Sequence, residues 1–396
     1  MRIALAGDFD TYVIRGLERP AHLLPYRLSP GLNLLRGLRE LGQGEIHILV
    51  TTREVSTVQV EDGPFGTVHR LPCPPISGSP TFFLWRRHLI LKELARIRPD
   101  LVHGQGTEAE YALTAVTSPY PHVITFHGIM DRVHQVTPPP LLSLSHVPRW
   151  SEKLVVRKVQ NVISISQDVE DFLRECKSPA RSFRIPNAMA PCFFEVKAEP
   201  RTDGRHAILY VGAIQPRKGL IYLVEALARL RDVFDNSPVL RVIGAAGGTY
   251  KDEVLQRAIA LNVAGQIEWL GVLKERDVAQ VLTRSDLLVL PSFWENMPMC
   301  IGEAFAAGVS VVSTRTAGIP NWVDHEKTGL LVKPGDSMEL ADAIGQLLQN
   351  EPLRRAMGAA GRAKATAEYL PRVVAEKTLA VYDTILRGNR PGSSGN

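Results

Sequence analysis

The chain has 396 residues, of which 45% are apolar and 22% charged, and this composition predicts a globular protein of two or three domains. The net charge of +5 is small for the length and no dense block of Lys and Arg occurs, which argues against nucleic-acid binding but allows an anionic small molecule or a lipid surface. No apolar run approaches membrane-spanning length.

The first residues predict a buried strand, Arg2 to Ala6, in a run that is too short and too soon charged for a signal peptide. Asp8-Phe9-Asp10 then matches a metal-binding D-x-D pattern. Its position directly after the first strand favours a plain loop, so no metal is predicted. The four cysteines lack metal-ligand spacing and predict reduced thiols in a cytoplasmic protein: Cys73, Cys176, Cys192 and Cys300.

A helix is predicted to begin at Pro30, with Ser29 as its cap, because leucines follow at helical spacing until two glycines end the pattern. Buried strands at Asp100 to His103 and His122 to Phe126 alternate with helical segments and predict a parallel sheet. Ligands bind at the carboxyl ends of such strands, and His127 follows the second of these strands directly. His127 is therefore a candidate binding residue, the alternative being a structural histidine.

A further helix is predicted over residues 81–96, TFFLWRRHLILKELAR, whose first turns hold three aromatic and two basic side chains. An aromatic and basic edge of this kind is suited to rest on an anionic membrane, which would place the protein peripherally on the inner membrane face. The alternative is ordinary core packing with solvated Arg86 and Arg87.

The segment from about Glu195 to Arg205 is rich in turn residues and predicts a linker between domains. A second pattern of strands and helices begins at Ala207 to Val211, and Arg217-Lys218 precede a helix from about Leu220 to Val233. Two cations at the amino end of a helix oppose its dipole unless an anion lies between them and the amides. The pair therefore predicts an anion site, with a solvated surface pair as the alternative.

The most informative stretch is Asp286 to Thr314, in which a buried strand, a loop, a helix beginning at Pro298 and a second strand follow one another. Glu295 lies in the loop and Glu303 in the second helical turn. Amides at the helix start favour an anion, whereas carboxylates accept hydrogen bonds from sugar and ribose hydroxyls. The predicted ligand is a phosphate flanked by polyols, as in a nucleotide sugar, although two glutamates at this spacing also occur by chance.

The same stretch resembles the signature of retaining glycosyltransferases of family 4, in which a strand ends in Pro-Ser, two glutamates are separated by seven residues, and Ala-Phe-Ala-Ala-Gly precedes a second strand. The chain departs from that family at Ala213 and Asn321, where many members carry arginine and glutamate. Other segments are also similar to family elements: His127-Gly128, Ile185-Pro186-Asn187, Arg217-Lys218-Gly219 and Gly271-Val272.

The resemblance implies the α/β fold called GT-B, with two Rossmann-like domains whose parallel sheets face each other across a cleft. It implies an N-terminal acceptor-binding domain over 1–195 and a donor-binding domain over 205–370. A helix over 371–388 is expected to cross back to the first domain, and residues 389–396 are expected to be a disordered tail.

The resemblance also implies an activity of EC class 2.4: transfer of a hexose-type sugar from a nucleotide-diphosphate sugar to an acceptor hydroxyl with retention of anomeric configuration and without a metal or other cofactor. Lys218 and Arg217 would stabilise the leaving diphosphate, Glu295 would hold the donor sugar, Glu303 the ribose and His127 a sugar hydroxyl. The other donor-binding positions are Gly31, Val272, Asn296, Met297 and Pro298.

A UDP-sugar is the expected donor, with GDP- and ADP-sugars as alternatives. A lipid-linked sugar, a polysaccharide precursor or a small metabolite fits as the acceptor. Two other functions stay open at this point: a sugar-nucleotide epimerase or phosphorylase of the same fold, and a nucleotide-sugar-binding protein that has lost catalysis.

Overall fold

The structure, a computed structural model, describes residues 1–17, 30–75, 78–141, 143–196 and 204–388. The chain divides into two compact units. Unit 1 contains the described residues up to Ala188 together with 371–388, and unit 2 contains those from Met189 to Leu370. The predicted Ser29 cap, most of the predicted linker and the tail at 389–396 lie outside the described residues.

Unit 1 contains an eight-stranded sheet that is parallel except for one antiparallel edge pair, β3 with β4. Across the sheet the strands are β3 (Gln59–Gly63), β4 (Gly66–Pro72), β2 (Glu45–Thr52), β1 (Arg2–Ala6), β5 (Leu101–Gln105), β6 (His122–Phe126), β7 (Asn161–Ser164) and β8 (Arg181–Arg184). The winding reverses at β1, which pairs with β2 on one side and β5 on the other. Such a reversal opens a crevice at the carboxyl ends of the two strands.

Helices connect these strands, as the alternating pattern predicts. They are α1 (Pro30–Leu41), α2 (Leu84–Ile97), α3 (Glu110–Thr117), α4 (Met130–Val136), α5 (His146–Lys158) and α6 (Gln167–Glu175). α2 begins three residues later than predicted, because Phe82 and Phe83 adopt left-handed backbone angles, φ 50° and 58°, which are incompatible with a continuous helix.

Unit 2 contains a six-stranded sheet in which every pair is parallel. Across the sheet the strands are β11 (Ile267–Gly271), β10 (Val239–Ile243), β9 (Ala207–Val211), β12 (Leu287–Leu290), β13 (Ser310–Thr314) and β14 (Gly329–Val332). This order reverses between β9 and β12, as in a dinucleotide-binding sheet. All four residues of β12 are buried, as its continuous apolar run predicts.

The helices of unit 2 are α7 (Pro191–Glu195), α8 (Leu220–Arg231), α9 (Tyr250–Ala260), α10 (Glu275–Thr283), α11 (Met299–Ala307), α12 (Ser337–Gln349) and α13 (Glu351–Glu368). α8 buries the leucines that predict it, for example Leu223 and Leu227. Pro298 is the cap residue of α11 rather than its first residue, since its ψ of 108° is extended. The helix thus begins one position later than predicted.

The last helix, α14 (Pro371–Gly388), returns to unit 1 and packs against α1. Gly37 of α1 permits this contact, because a Cβ there would lie 2.0 Å from the carbonyl oxygen of Pro371. Apolar side chains of α14, such as Val374 and Leu379, join the core of unit 1. The largely parallel sheets of the two units and the C-terminal helix that returns to unit 1 confirm the predicted fold class. In the described part of the chain, no helix is both long and apolar enough to cross a bilayer.

Candidate functional site

The candidate site of unit 2 lies where the winding of its sheet reverses. β9 and β12 are neighbours, and the chain leaves the carboxyl end of each strand into a loop. The loop after β9 leads to Arg217 and Lys218, and the loop after β12 leads to Glu295. Strand order therefore brings together two segments that are far apart in the sequence, at the edge where parallel sheets bind ligands.

A short 3-10 turn, Pro216–Lys218, presents the two cations, and Gly219 joins it to α8 with a left-handed φ of 69°. Gly219 also lies against the loop after β12, because a Cβ at this position would be only 2.0 Å from the carbonyl oxygen of Pro291. The backbone N–H of Phe293 donates to the carbonyl oxygen of Arg217 at 2.8 Å. The two loops are thus joined backbone to backbone, which holds the cations at a set distance from β12.

Replacing Gly219 by alanine is expected to destabilise the protein by about 2 kcal/mol or more, since the new side chain adds left-handed strain and a steric clash with Pro291. Chemical denaturation monitored by fluorescence measures the change. Gly265→Ala is the matched control, because no atom lies within 4 Å of the Cβ position at Gly265 and its φ lies outside the left-handed range. Equal stability of the two variants would show that the close approach does not hold the loops.

The loop after β12 is held from its other side by β13 and the turn that follows. The hydroxyl of Thr314 donates to the carbonyl oxygen of Ser292 at 2.5 Å, and the hydroxyl of Thr316 donates to that of Phe293 at 2.9 Å. The amide of Gly318 donates to the carbonyl oxygen of Glu295 at 2.9 Å. These bonds fix the backbone of the loop that carries Glu295, so its carboxylate is held in place by the fold itself.

Glu295 is the centre of a charged cluster. Its Oε1 accepts a hydrogen bond from the hydroxyl of Ser292 at 3.0 Å and forms an ion pair with the ammonium group of Lys218. The guanidinium of Arg217 lies 3.6 Å from the same oxygen. Glu295 is 7% exposed, so the carboxylate is removed from most of its solvent and depends on these partners. Two cations face one anion, which leaves the cluster with a net positive charge.

The neighbouring residues form the amino end of α11. Asn296, Met297 and Pro298 are buried, and no acidic residue occurs in the first turn of the helix. The amide end of α11 is therefore electropositive. Val272 is half-buried and directly follows β11, at the same carboxyl edge of the sheet.

Glu303 lies in the second turn of α11 and is 4% exposed. Burial raises the pKa of this carboxyl group to about 8, and the nearby charge of Glu275 acts in the same direction. Burial therefore makes the ionised form of Glu303 unfavourable at neutral pH. Carboxyl groups with pKa values raised in this way are typical of functional sites.

The remaining candidates belong to unit 1. Gly31 is buried in the first turn of α1. His127 directly follows β6 and is half-buried, and its Nε2–H donates to Oε1 of Gln105 at 2.7 Å. Burial lowers the pKa of His127 to about 4, and a hydrogen bond with the side chain of Asn187 acts in the opposite direction. His127 is therefore a neutral hydrogen-bonding group at pH 7.

A buried chain of hydrogen bonds orients His127. Nε2–H of Gln105 donates to Nε2 of His103 at 3.0 Å, which leaves the His103 proton on Nδ1 for the hydroxyl oxygen of Tyr382 at 2.6 Å. Burial lowers the pKa of His103 to about 3, so this ring is neutral as well. Tyr382 belongs to α14, and the C-terminal helix thus supports a residue at the carboxyl edge of the unit 1 sheet.

Sequence reasoning missed two of these residues, Ser292 and Gln105. Ser292 lies just beyond β12, and Gln105 is the last residue of β5. Each is a polar side chain at the carboxyl end of a strand next to the point where the winding reverses. Ligands bind at such positions, so the position of each residue after a predicted strand could have marked it as a candidate. The partner of each side chain depends on strand order, which the local pattern does not contain. Across the described ranges, no group of three or more His, Cys, Asp or Glu is arranged to hold a metal ion.

Comparison with known proteins identifies the relatives of both units. Residues 32–191 match the profile described as Glycosyltransferase Family 4, and residues 194–364 match the profile described as Glycosyl transferases group 1. The chain is similar to the glycogen synthase of Mycobacterium tuberculosis, with 28% identity over 299 residues that cover 74% of this chain and 70% of that protein.

Two solved structures show the same fold over almost the whole chain. Sucrose-phosphate synthase from Thermosynechococcus elongatus matches with a TM-score of 0.77 and 17% identity, covering 98% of this chain and 100% of that one. HepE from Anabaena, solved in complex with UDP-glucose, matches with a TM-score of 0.71 and 16% identity, covering 97% of this chain and 100% of that one.

Proposed function

This chain belongs to the group 1 glycosyl transferases, family 4, and from that premise we propose how its residues divide the work of a retaining glycosyltransferase that takes its sugar from a nucleotide sugar. Unit 2 binds the donor at the point where its sheet reverses, and unit 1 contributes the acceptor side. The observation that carries the proposal is the charged cluster of Arg217, Lys218 and Glu295.

The cluster stabilises the leaving diphosphate. Negative charge grows on the diphosphate as the bond from its oxygen to the anomeric carbon breaks, and Lys218 and Arg217 offset that charge together with the amide end of α11. These groups are fixed by the joined loops before the reaction begins. They therefore need little reorganisation as the charge develops, and the proposal requires no metal ion.

Glu295 has two tasks in this proposal. Its carboxylate orients Lys218 through their ion pair, and it accepts a hydrogen bond from a hydroxyl of the donor sugar when the donor binds. Glu303 accepts a hydrogen bond from the ribose, and the backbone at Val272 borders the nucleotide base. Asn296, Met297 and Pro298 line the start of α11, and Gly31 contributes a close backbone approach to the donor phosphates.

The acceptor oxygen attacks the anomeric carbon on the face that the diphosphate leaves, so the new bond has the configuration of the old one. The proton of the acceptor hydroxyl passes to an oxygen of the leaving phosphate, which balances the step without a separate base. His127 binds a sugar hydroxyl as a neutral imidazole, a role that agrees with its low pKa of about 4 and with the hydrogen bond that fixes it to Gln105.

A thermal-shift screen against UDP, GDP, ADP and their sugars tests the donor proposal, because a ligand bound only to the native state raises the melting temperature. We expect UDP and a UDP-sugar to give the largest shift, since the Anabaena relative was solved with UDP-glucose. Lys218→Ala is expected to remove most of that shift, whereas Lys327→Ala, a change of an exposed lysine in the same unit, is expected to keep it. If no nucleotide shifts the wild-type protein, the assignment of the donor site is wrong.

Residues 81–96 are part of the proposed acceptor side as a peripheral membrane contact on the inner membrane face. The apolar and basic side chains of this segment do not face the same way. Leu84 and Trp85 are 63% and 52% exposed, but Arg86 turns inward and its side chain, only 17% exposed, pairs with the buried carboxylate of Glu110 at 3.2 Å. Arg86 therefore has a structural role, and other cations must supply an electrostatic attraction to lipid.

A further inference from the structure

An unusual set of apolar side chains is exposed on unit 1 around α5. Leu141 is 93% exposed and Leu144 is 56% exposed, in the loop before α5. Trp150 and Leu154, on α5 itself, are 52% and 39% exposed. With Leu84 and Trp85 at the start of α2, these six residues form what we call the docking surface. Exposed apolar groups that are gathered in one area mark an interaction site, whereas scattered ones do not.

A hydrogen bond and two ring contacts connect the parts of the docking surface. Nε2–H of His146 donates to the carbonyl oxygen of Pro140 at 3.1 Å, which fastens the loop to the first turn of α5. The ring of His146 stacks on Trp150 at 6.4 Å, and Trp150 stacks on Phe82 at 6.1 Å with an angle of 6° between the rings. The loop, α5 and the start of α2 are thereby connected into one surface.

The docking surface carries positive charge along α5. The exposed positions of α5 are occupied by apolar and basic side chains only: Trp150, Lys153, Leu154, Arg157 and Lys158. The one acidic residue of α5, Glu152, is fully buried and accepts hydrogen bonds from the hydroxyl of Thr107 and the amide of Met130. Asp131 of α4 lies near the edge, where it pairs with Arg149 and is 3.8 Å from Lys153.

We infer that the docking surface seats unit 1 on an anionic lipid bilayer, with its leucines and tryptophans in the interfacial region and the cations of α5 on the lipid headgroups. A helix with aromatic and aliphatic side chains among lysines and arginines has the composition of an interfacial anchor. The loop from 137 to 145 carries no charge in its sequence, TPPPLLSLS, so the exposed Leu141 and Leu144 can enter the interface without burying an ion.

Charge favours a bilayer over a second copy of this chain. A two-fold contact through this surface would bring the lysines and arginines of one α5 close to those of the other, because both copies use the same patch. An anionic bilayer instead supplies opposite charge over the whole surface, and each basic residue near it adds attraction. If the proposed function holds, the acceptor that this surface serves is an amphiphile, such as a lipid-linked sugar. The docking itself does not depend on the roles of Lys218 and Glu295.

Vesicle flotation tests the inference with the full chain. We expect binding to vesicles that contain phosphatidylglycerol, weak binding to vesicles of phosphatidylcholine alone, and loss of binding at high salt. Leu141→Ser with Trp150→Ser, and separately Lys153→Glu with Arg157→Glu, are each expected to reduce the bound fraction about tenfold or more. Unchanged melting temperatures of the variants, and an unchanged melting shift with UDP, would show that folding and donor binding are intact.

Matched controls come from unit 2, where other exposed side chains serve as references. Val233→Ser with Ile259→Ser removes two side chains that are 62% and 54% exposed, and Arg355→Glu reverses a charge that is 80% exposed. Both controls are expected to bind vesicles like the wild type. The inference is overturned if the wild type does not bind anionic vesicles or if the α5 variants bind as well as it does. It is also overturned if light scattering shows a dimer that those variants abolish.

Discussion

Lys218→Ala is expected to lower kcat for sugar transfer about a hundred- to a thousandfold, because one preorganised donor to the leaving group is removed. Glu295→Ala is expected to cost a similar factor, since it removes a sugar contact and leaves the ammonium of Lys218 without the carboxylate that orients it. Steady-state kinetics with the nucleotide sugar identified by melting shifts measures both effects.

Lys218 and Glu295 form an ion pair with each other, so the effects of replacing them should not add. The double variant Lys218→Ala with Glu295→Ala is expected to lose far less than the product of the two single losses, as found for residues that act as a unit. Lys327→Ala is again the control and should leave kcat unchanged. Wild-type turnover in both single variants would contradict the assigned roles, whereas strictly additive losses would contradict only the coupling.

Replacing Glu303 by glutamine is expected to flatten the pH dependence of stability. The folded pKa of about 8 lies above the ordinary glutamate pKa of 4.5, so the native state keeps a proton that the unfolded chain releases. The bound proton stabilises the folded protein, and this contribution is fully present below the unfolded pKa of 4.5. It is lost as the pH rises from that value to the folded pKa of about 8, at a limiting rate of about 1.4 kcal/mol per pH unit. Glutamine does not ionise, so the Glu303→Gln variant should not lose this stability between the two pKa values.

Urea denaturation at pH 5 and pH 8 measures this difference. The wild type is expected to lose more stability than Glu303→Gln between these values, by a margin on the order of a few kcal/mol. Glu339→Gln serves as the control, because Glu339 is an acidic residue on α12 of the same unit. Parallel curves for the wild type and Glu303→Gln would show that the carboxyl group is ionised in the folded protein at neutral pH.

Nucleotide binding is expected to change the protonation of Glu303. If Glu303 accepts a hydrogen bond from ribose, nucleotide binding favours its ionised form and releases a proton near neutral pH. Titration calorimetry in two buffers of different ionisation enthalpy would detect that proton, and Glu303→Gln should release none.

Several elements of both units could be predicted from the sequence because their signals are local. The apolar run of β12, the helical spacing of the leucines in α8 and the change of pattern near residue 200 each depend on a few neighbouring residues. Glu295 and Lys218 could be selected as candidates for the same reason, since each follows a strand and lies near a helix start. The starts of α2 and α11 differed from prediction by one to three residues, because positive φ at Phe82 and an extended Pro298 depend on packing.

The contacts of these residues could not be predicted in that way. Nothing in the local pattern states that β9 and β12 are neighbours, so the pairing of Lys218 with Glu295 required the sheet. The inward turn of Arg86 toward Glu110 and the stack of Phe82 on Trp150 likewise join segments that are distant in the chain. Side-chain partners of this kind are set by three-dimensional packing, which periodicity does not encode.

The sequence by itself thus determined the fold class, the family resemblance and the residue types at the carboxyl ends of the strands, since hydrophobic period and helix starts are written in short segments. Only the tertiary structure decided which of those residues meet and how their chemistry is tuned. Burial raises the pKa of Glu303 and lowers that of His127, because removing a group from water penalises its charged form, and burial is a property of the folded chain alone.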